Sequence, residues 1–192
     1  MQRSLMRKEV MPFLAAFGSL ILATMVIDFM LHQFGLVWIG RYLGIPGTIL
    51  ILLSFLYSLR KRKRIKFGAP KTLLALHETL AWLGTLMILV HAGIHIYDIL
   101  PWLALVAMLV NVISGMTGKY LLDRARGFLK DKREAYTSRG MTEAEIEKQL
   151  FWDATTFDLM KKWRAVHMPI TLAFAGLGIA HILSIFLFWQ WK

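Results

Sequence analysis

Residues 165–191 contain no Asp, Glu, Lys or Arg, and a helix needs only ~20 apolar residues to cross the ~30 Å hydrocarbon core of a bilayer. Four further stretches meet the same requirement, so the expected spans are Val10–Leu31, Tyr42–Leu59, Thr72–Tyr97, Ile99–Gly118 and Ala165–Trp189. Lipid offers no partner to an open backbone N–H or C=O, and helices close those bonds within themselves. The chain is 57% hydrophobic with a mean hydropathy of +0.53, which excludes an ordinary soluble domain. The expected fold is all-α: one membrane domain over residues 1–192, an integral bundle of five transmembrane helices.

Charge orients the bundle. The net charge of +11 does not mark a nucleic-acid binder, because Lys and Arg alternate by loop instead of clustering on one folded surface. Arg3, Arg7 and Lys8 precede the first span, residues 60–71 hold seven basic side chains and residues 119–164 hold eleven, against Arg41 and Lys192 on the opposite side. The amino terminus is therefore expected in the cytoplasm, and the third and fifth spans both run outward. The basic start and apolar core of the first thirty residues resemble a signal peptide, but the apolar run continues to Ile27 with no clean small-residue cleavage site, so this stretch is read as a retained span. These features imply a multi-pass protein of a prokaryotic plasma membrane, with membrane lipid as its surroundings.

Two histidine pairs, His77 with His91 and His167 with His181, share a fourteen-residue interval inside the third and fifth spans. At about 1.5 Å and about 100° per residue, that interval separates the side chains by roughly 21 Å in depth and only roughly 40° around the helix. Ionisable side chains in spans are expensive and invite a functional reading. If the two outward-running helices pack together, His77 meets His167 near the cytoplasm and His91 meets His181 further out, which is the ligand set of two bis-histidine haem b groups. Neutral imidazole suits iron. His95 lies on the same face as His77 but eighteen residues, roughly 27 Å, away, out of level with His181. It is read as facing water or a quinone headgroup, and His32 as interfacial. Met168 points elsewhere around the helix and is assigned to packing.

Other residues are tied to this reading by type and position. Gly84 lies midway between His77 and His91, and Gly176 close to the midpoint of the other pair beside the bulky Phe174, where small residues leave space for a flat macrocycle or for close helix packing. Lys71, Lys119 and Arg164 on the inner side and Arg41 outside are candidate partners for haem propionates. Asp28, His32, His95 and Asp98 at the outer ends, or Glu78 beside His77, are candidates for a quinone or proton site. The chain has no cysteine, which excludes thioether-linked haem, cysteine-ligated iron-sulfur clusters and disulfides within it. In the segment 119–164, Thr142 and Glu145 form a capping box and Ile146, Leu150, Ala154 and Phe157 recur at helical spacing. An amphipathic cytoplasmic helix from Glu143 to Met160 is expected there, covering the bundle or docking a partner.

The stretches LHETLAWLGTLMILVHAGIH and VHMPITLAFAGLGIAH carry a resemblance to the di-haem cytochrome b superfamily, which includes respiratory cytochrome b, the membrane subunits of formate dehydrogenases and hydrogenases, and ferric-reductase-like proteins. The similarity covers mainly residues 70–190, and ligands on helices three and five are most similar to the ferric-reductase arrangement. The sequence holds no flavin or nicotinamide domain and no Pro-Glu-Trp-Tyr motif. The resemblance implies an electron-transfer subunit of a membrane oxidoreductase, passing electrons between the quinone pool and an iron-sulfur, flavin or multihaem partner. Two alternatives stand beside it: a quinone-independent reductase exporting electrons to an outside acceptor, and a haem-free anchor or proton-relaying transporter.

Overall fold

A computed structural model describes residues 10–94, 99–117 and 122–188. Helices in chain order are α1 (Met11–Gln33), α2 (Val37–Tyr42), α3 (Gly44–Ser54), α4 (Leu56–Lys61), α5 (Pro70–Ile94), α6 (Ile99–Met116), α7 (Leu122–Thr137) and α8 (Glu143–Phe188), with no strand among the described residues. Five helical stretches are long and apolar enough to cross a membrane: Phe13–Gln33, Val37–Lys61, Pro70–Gly93, Ile99–Met116 and part of α8. The chain divides into two compact units, one of Met1–Ser19 with Ala107–Gly176 and one of Leu20–Val106 with Leu177–Lys192.

The stretch Val37–Lys61 is built from α2, α3 and α4. Its breaks at Leu43 and Phe55 are local tightenings. Both residues keep right-handed helical dihedrals; the Leu43 N–H is shared between the Gly40 and Ile39 carbonyls, three and four residues back, and the Phe55 N–H donates to the Leu52 carbonyl, three back. Pro46 falls in the first turn of α3, where an N–H would lack an intrahelical partner anyway. Pro70 opens α5 for the same reason.

In the second unit, α5 packs along α3, with α2 and α4 against its two ends. Glycines set the approach. A Cβ at Gly47 would lie 3.1 Å from the carbonyl oxygen of Gly84, and one at Gly84 would lie 2.9 Å from that of Gly47. This is backbone-to-backbone contact, which only small residues permit and which drives helix association where lipid removes the hydrophobic incentive.

In the first unit, Phe13, Leu122, Ala125 and Met160 form a buried cluster, joined by Val10, Ile113, Met116, Phe128 and Phe157. Here α7 and the first half of α8 make a helical hairpin. Its turn passes through Gly140, whose φ of +74° a glycine adopts without strain. The backbone N–H and the hydroxyl of Thr142 both donate to Glu145 Oε2 at 2.8 Å. Those two bonds hold the Glu145 carboxyl below the usual carboxylate range, and they start α8 where the capping pattern places it.

Two features of this unit depart from the sequence expectation. The helix beginning at Glu143 does not stop near Met160 but continues through the last span as one 46-residue α8 with Pro169 inside it. Lys161, Lys162, Trp163 and Arg164 offer no helix stop: no glycine, no proline and no capping side chain. The buried stripe runs through Ile146, Leu150, Asp153, Phe157 and Met160, while Ala154 is exposed. Asp153 takes the inward position because Lys132 of α7 meets it at 2.7 Å, with both side chains about nine-tenths buried. We expect Lys132→Met to destabilise the hairpin by about 2 kcal/mol, since the Asp153 carboxylate loses its charge-assisted hydrogen bond. Lys132→Met combined with Asp153→Leu should recover most of that loss in thermal melts of the detergent-solubilised protein.

Candidate metal centre

His77, Gly84 and His91 share the α5 face that meets α3. His77 Nδ1 lies 3.0 Å from the carbonyl oxygen of Ser54, and a Cβ at Gly44 would come within 2.8 Å of His91 Cδ2. The two imidazoles thus lie toward opposite ends of α3, with the Gly47–Gly84 crossing between them, as a fourteen-residue interval requires of one helix face. The place beside Gly84 is filled by the backbone of α3 and by Ile51.

A carbonyl oxygen can only accept, so His77 Nδ1 carries the proton in the neutral ring and Nε2 carries the lone pair. Tyr57 of α4 stacks on the same imidazole, with ring centroids 5.6 Å apart and planes at 29°, and the Lys61 ammonium stands 6.0 Å over the Tyr57 ring. His77 is therefore held in place by a hydrogen bond and by an aromatic face.

His167, on α8 in the first unit, is held in a parallel way by α6. Its Nδ1 is 2.9 Å from Ser114 Oγ, while Ser114 Oγ donates to the Asn111 carbonyl at 2.8 Å. The serine's single proton is thereby committed, so Oγ accepts from Nδ1–H, and Nε2 again carries the lone pair. Thr171 Oγ1 lies 2.7 Å from both the His167 carbonyl and Asn111 Oδ1. A Cβ at Gly115 would come within 3.1 Å of His167 Cε1, so the ring lies close against the α6 backbone.

Fixing Nδ1 by hydrogen bond is how proteins present Nε2 to a metal: the outer partner sets the tautomer, orients the ring and raises its basicity. Taken singly, His77 in the second unit and His167 in the first each present an Nε2 lone pair of the kind that suits iron. Among the described residues, no group of three or more His, Cys, Asp or Glu side chains is assembled for a bare metal ion. A haem asks for only two, because the porphyrin supplies the other four donors.

The remaining candidates are dispersed. His181 is half-buried on α8, with Ser184 Oγ donating to its backbone carbonyl at 2.7 Å. Lys71 and Arg41 are exposed, and Gly176 is an exposed glycine with nothing near its missing Cβ. Glu78 is half-buried, with Oε1 inside the protein. Asp28 is half-buried on α1, and His32, one turn on, is exposed and 3.6 Å from it. His95, Asp98, Lys119 and the Arg164 side chain lie outside the described residues.

Sequence reasoning missed Gly44, Tyr57, Asn111, Ser114 and Thr171. A signal existed for the α6 pair: Asn111 and Ser114 are polar residues three apart in an otherwise apolar span, a pattern that calls for a partner inside the bundle. No protein-family model, no curated protein and no solved structure matches this chain.

Proposed function

We propose that the chain is a di-haem b-type membrane cytochrome subunit that moves electrons across a prokaryotic plasma membrane, between the quinone pool and a partner redox subunit. The observation that carries this reading is the matched anchoring of His77 and His167 through Nδ1, on two histidine pairs of equal interval. His77 and His167 would hold the haem nearer the cytoplasm, and His91 and His181 the outer one. Haem supplies reversible one-electron transfer at each site.

The chain's own residues supply the rest. Ser54 and Ser114 fix the ligand tautomers, Tyr57 restrains His77, and the apolar spans exclude water from the centres. The bias of Lys and Arg toward the loops around residues 60–71 and 119–164 supports a cytoplasmic amino terminus. With no cysteine and no other redox-active group in the sequence, electrons must enter or leave through another protein or through a diffusible carrier.

A second reading draws on the same hydrogen bonds. Half-buried histidines hydrogen-bonded to Ser54 and Ser114 are also what a haem-free anchor or proton relay would use, and the close α3–α5 packing favours it. The visible spectrum of protein purified from haem-replete cells separates the two. We expect a Soret band, a split b-type α band after dithionite, and a pyridine haemochrome assay near two haems per chain. A colourless protein sinks the cytochrome reading. If haem is present, insensitivity of its reduction to quinone analogues favours electron export without quinone.

A further inference from the structure

Residues 60–71 hold seven Lys and Arg and no acid, and the chain has no Asp or Glu anywhere from Phe29 to His77. The other basic segment is different. Residues 119–164 intersperse eleven cations with eight carboxylates, and Lys132 with Asp153 and Arg133 with Glu143 close into ion pairs. Between α4 and α5, by contrast, Lys63, Arg64, Lys66 and Lys71 are exposed, and none forms an ion pair. Like charges at this density repel one another, and an external anion would relieve them.

The segment is folded, not trailing. α4 ends in a Schellman turn, with the Arg64 N–H donating to the Leu59 carbonyl at 2.9 Å and the Lys63 N–H to the Arg60 carbonyl at 3.0 Å. Glycine is the usual occupant of the left-handed position in such a turn. Here it is Lys63, at φ +57°, the one non-glycine residue with positive φ among those described. Arg60 Nε donates to the Gly68 carbonyl at 3.1 Å, and a Cβ at Gly68 would come within 2.9 Å of Leu73 Cδ1, so the strap lies against the first turn of α5. An orientation signal needs basic residues, but it does not need a lysine where glycine is favoured. Strain kept in this way points to a use for the side chain.

The position of the strap names its partner. It joins the end of Val37–Lys61 to the start of Pro70–Gly93, two stretches long and apolar enough to cross a membrane, so it is held at the level of the lipid headgroups. Phe67, 59% exposed between Lys66 and Gly68, suits the boundary between headgroups and acyl chains. We propose that residues 60–71 form a binding site for anionic phospholipid, in which Lys63, Arg64, Lys66 and Lys71 meet the phosphodiester headgroups of the adjoining leaflet. Each cation near such a surface strengthens binding about fivefold. The site does not depend on the cytochrome reading.

The test uses the full chain in dodecyl maltoside, with dioleoylphosphatidylglycerol as the probe. Native mass spectrometry counts bound lipid, and thermal melts report stability; neither readout involves haem. We expect phosphatidylglycerol to be retained in preference to dioleoylphosphatidylcholine, and salt of about 0.5 M to remove the preference by screening. Lys63→Gln combined with Arg64→Gln and Lys66→Gln should weaken phosphatidylglycerol binding on the order of 100-fold, while the basic residues at the amino terminus and in 119–164 still orient the chain. Lys63→Gly should move the two readouts in opposite directions. It is expected to melt above the wild type without lipid, because glycine takes this φ freely, and to bind phosphatidylglycerol about fivefold more weakly. Equal affinity for the two lipids, or wild-type lipid affinity in the triple variant or in Lys63→Gly, overturns the proposal. Displacement of the lipid by an equal concentration of inorganic phosphate overturns it in favour of a free anion, and preferential retention of polyglutamate overturns it in favour of an acidic protein.

Discussion

Alanine at His91 or at His181 is expected to cost the protein one haem and leave the other in place. The chain has no cysteine, so a haem here is held without covalent attachment. On the di-haem reading its grip would consist of two iron–nitrogen bonds and whatever the spans enclose. Removing one imidazole would then break an axial bond and open a side-chain-sized void at that level. The fourteen-residue interval sets the other pair roughly 21 Å away along the helix, and at that distance the two sites should respond independently. The measurement is the haemochrome ratio, falling from two to one per chain, together with collapse of the split α band to one component. His77→Ala and His167→Ala should remove the complementary component, and their ring-anchoring bonds to Ser54 and Ser114 vanish with them. Retention of both haems in His91→Ala or His181→Ala would falsify the pairing.

Leucine at Gly84 should prevent the second unit from assembling. The first atom of any side chain there meets the Gly47 carbonyl at 2.9 Å and Ile51 Cγ1 at 2.9 Å. Backbone cannot rotate aside as a flexible side chain can, so α3 must retreat along its length. That retreat withdraws Gly44 from His91 and the Ser54 carbonyl from His77 as well. Overpacking a close helix crossing in this way costs about 3 kcal/mol or more, against a total stability of only about 5–15 kcal/mol for a typical domain. Gly84→Ala should show an intermediate loss, whereas Gly178→Ala, where an added Cβ meets nothing within 4 Å, should melt like the wild type. Thermal melts in detergent, followed by fluorescence-detected size exclusion, read this directly. A Gly84→Leu protein that elutes and melts normally would show that the α3–α5 contact is dispensable.

The five apolar spans could be read from sequence because lipid leaves helices no alternative, and Pro70 and Thr142–Glu145 marked two helix starts by local chemistry alone. What could not be read depended on distant parts of the chain. Ala154 fits a helical stripe by spacing as well as Asp153 does, and only Lys132, twenty-one residues before Asp153, decides between them. The helix α7 was missed because its inward residues, Leu122, Ala125 and Lys132, are sparse among charges. The histidine interval on α5 was legible as a shared face, but its neighbour α3 was not. Gly84 could equally have bordered a ligand or another helix, and it borders Gly47.

The unbroken α8 also fixes an angular phase. Asp153 and His167 are fourteen residues apart on this one rod, each tethered sideways, the former to Lys132 and the latter to Ser114. A continuous helix resists torsion, so the ammonium at one station and the hydroxyl at the other together clock the imidazole's compass bearing. Slipping one extra residue between the two stations would swing that bearing by about 100°, and one of the two tethers would have to let go.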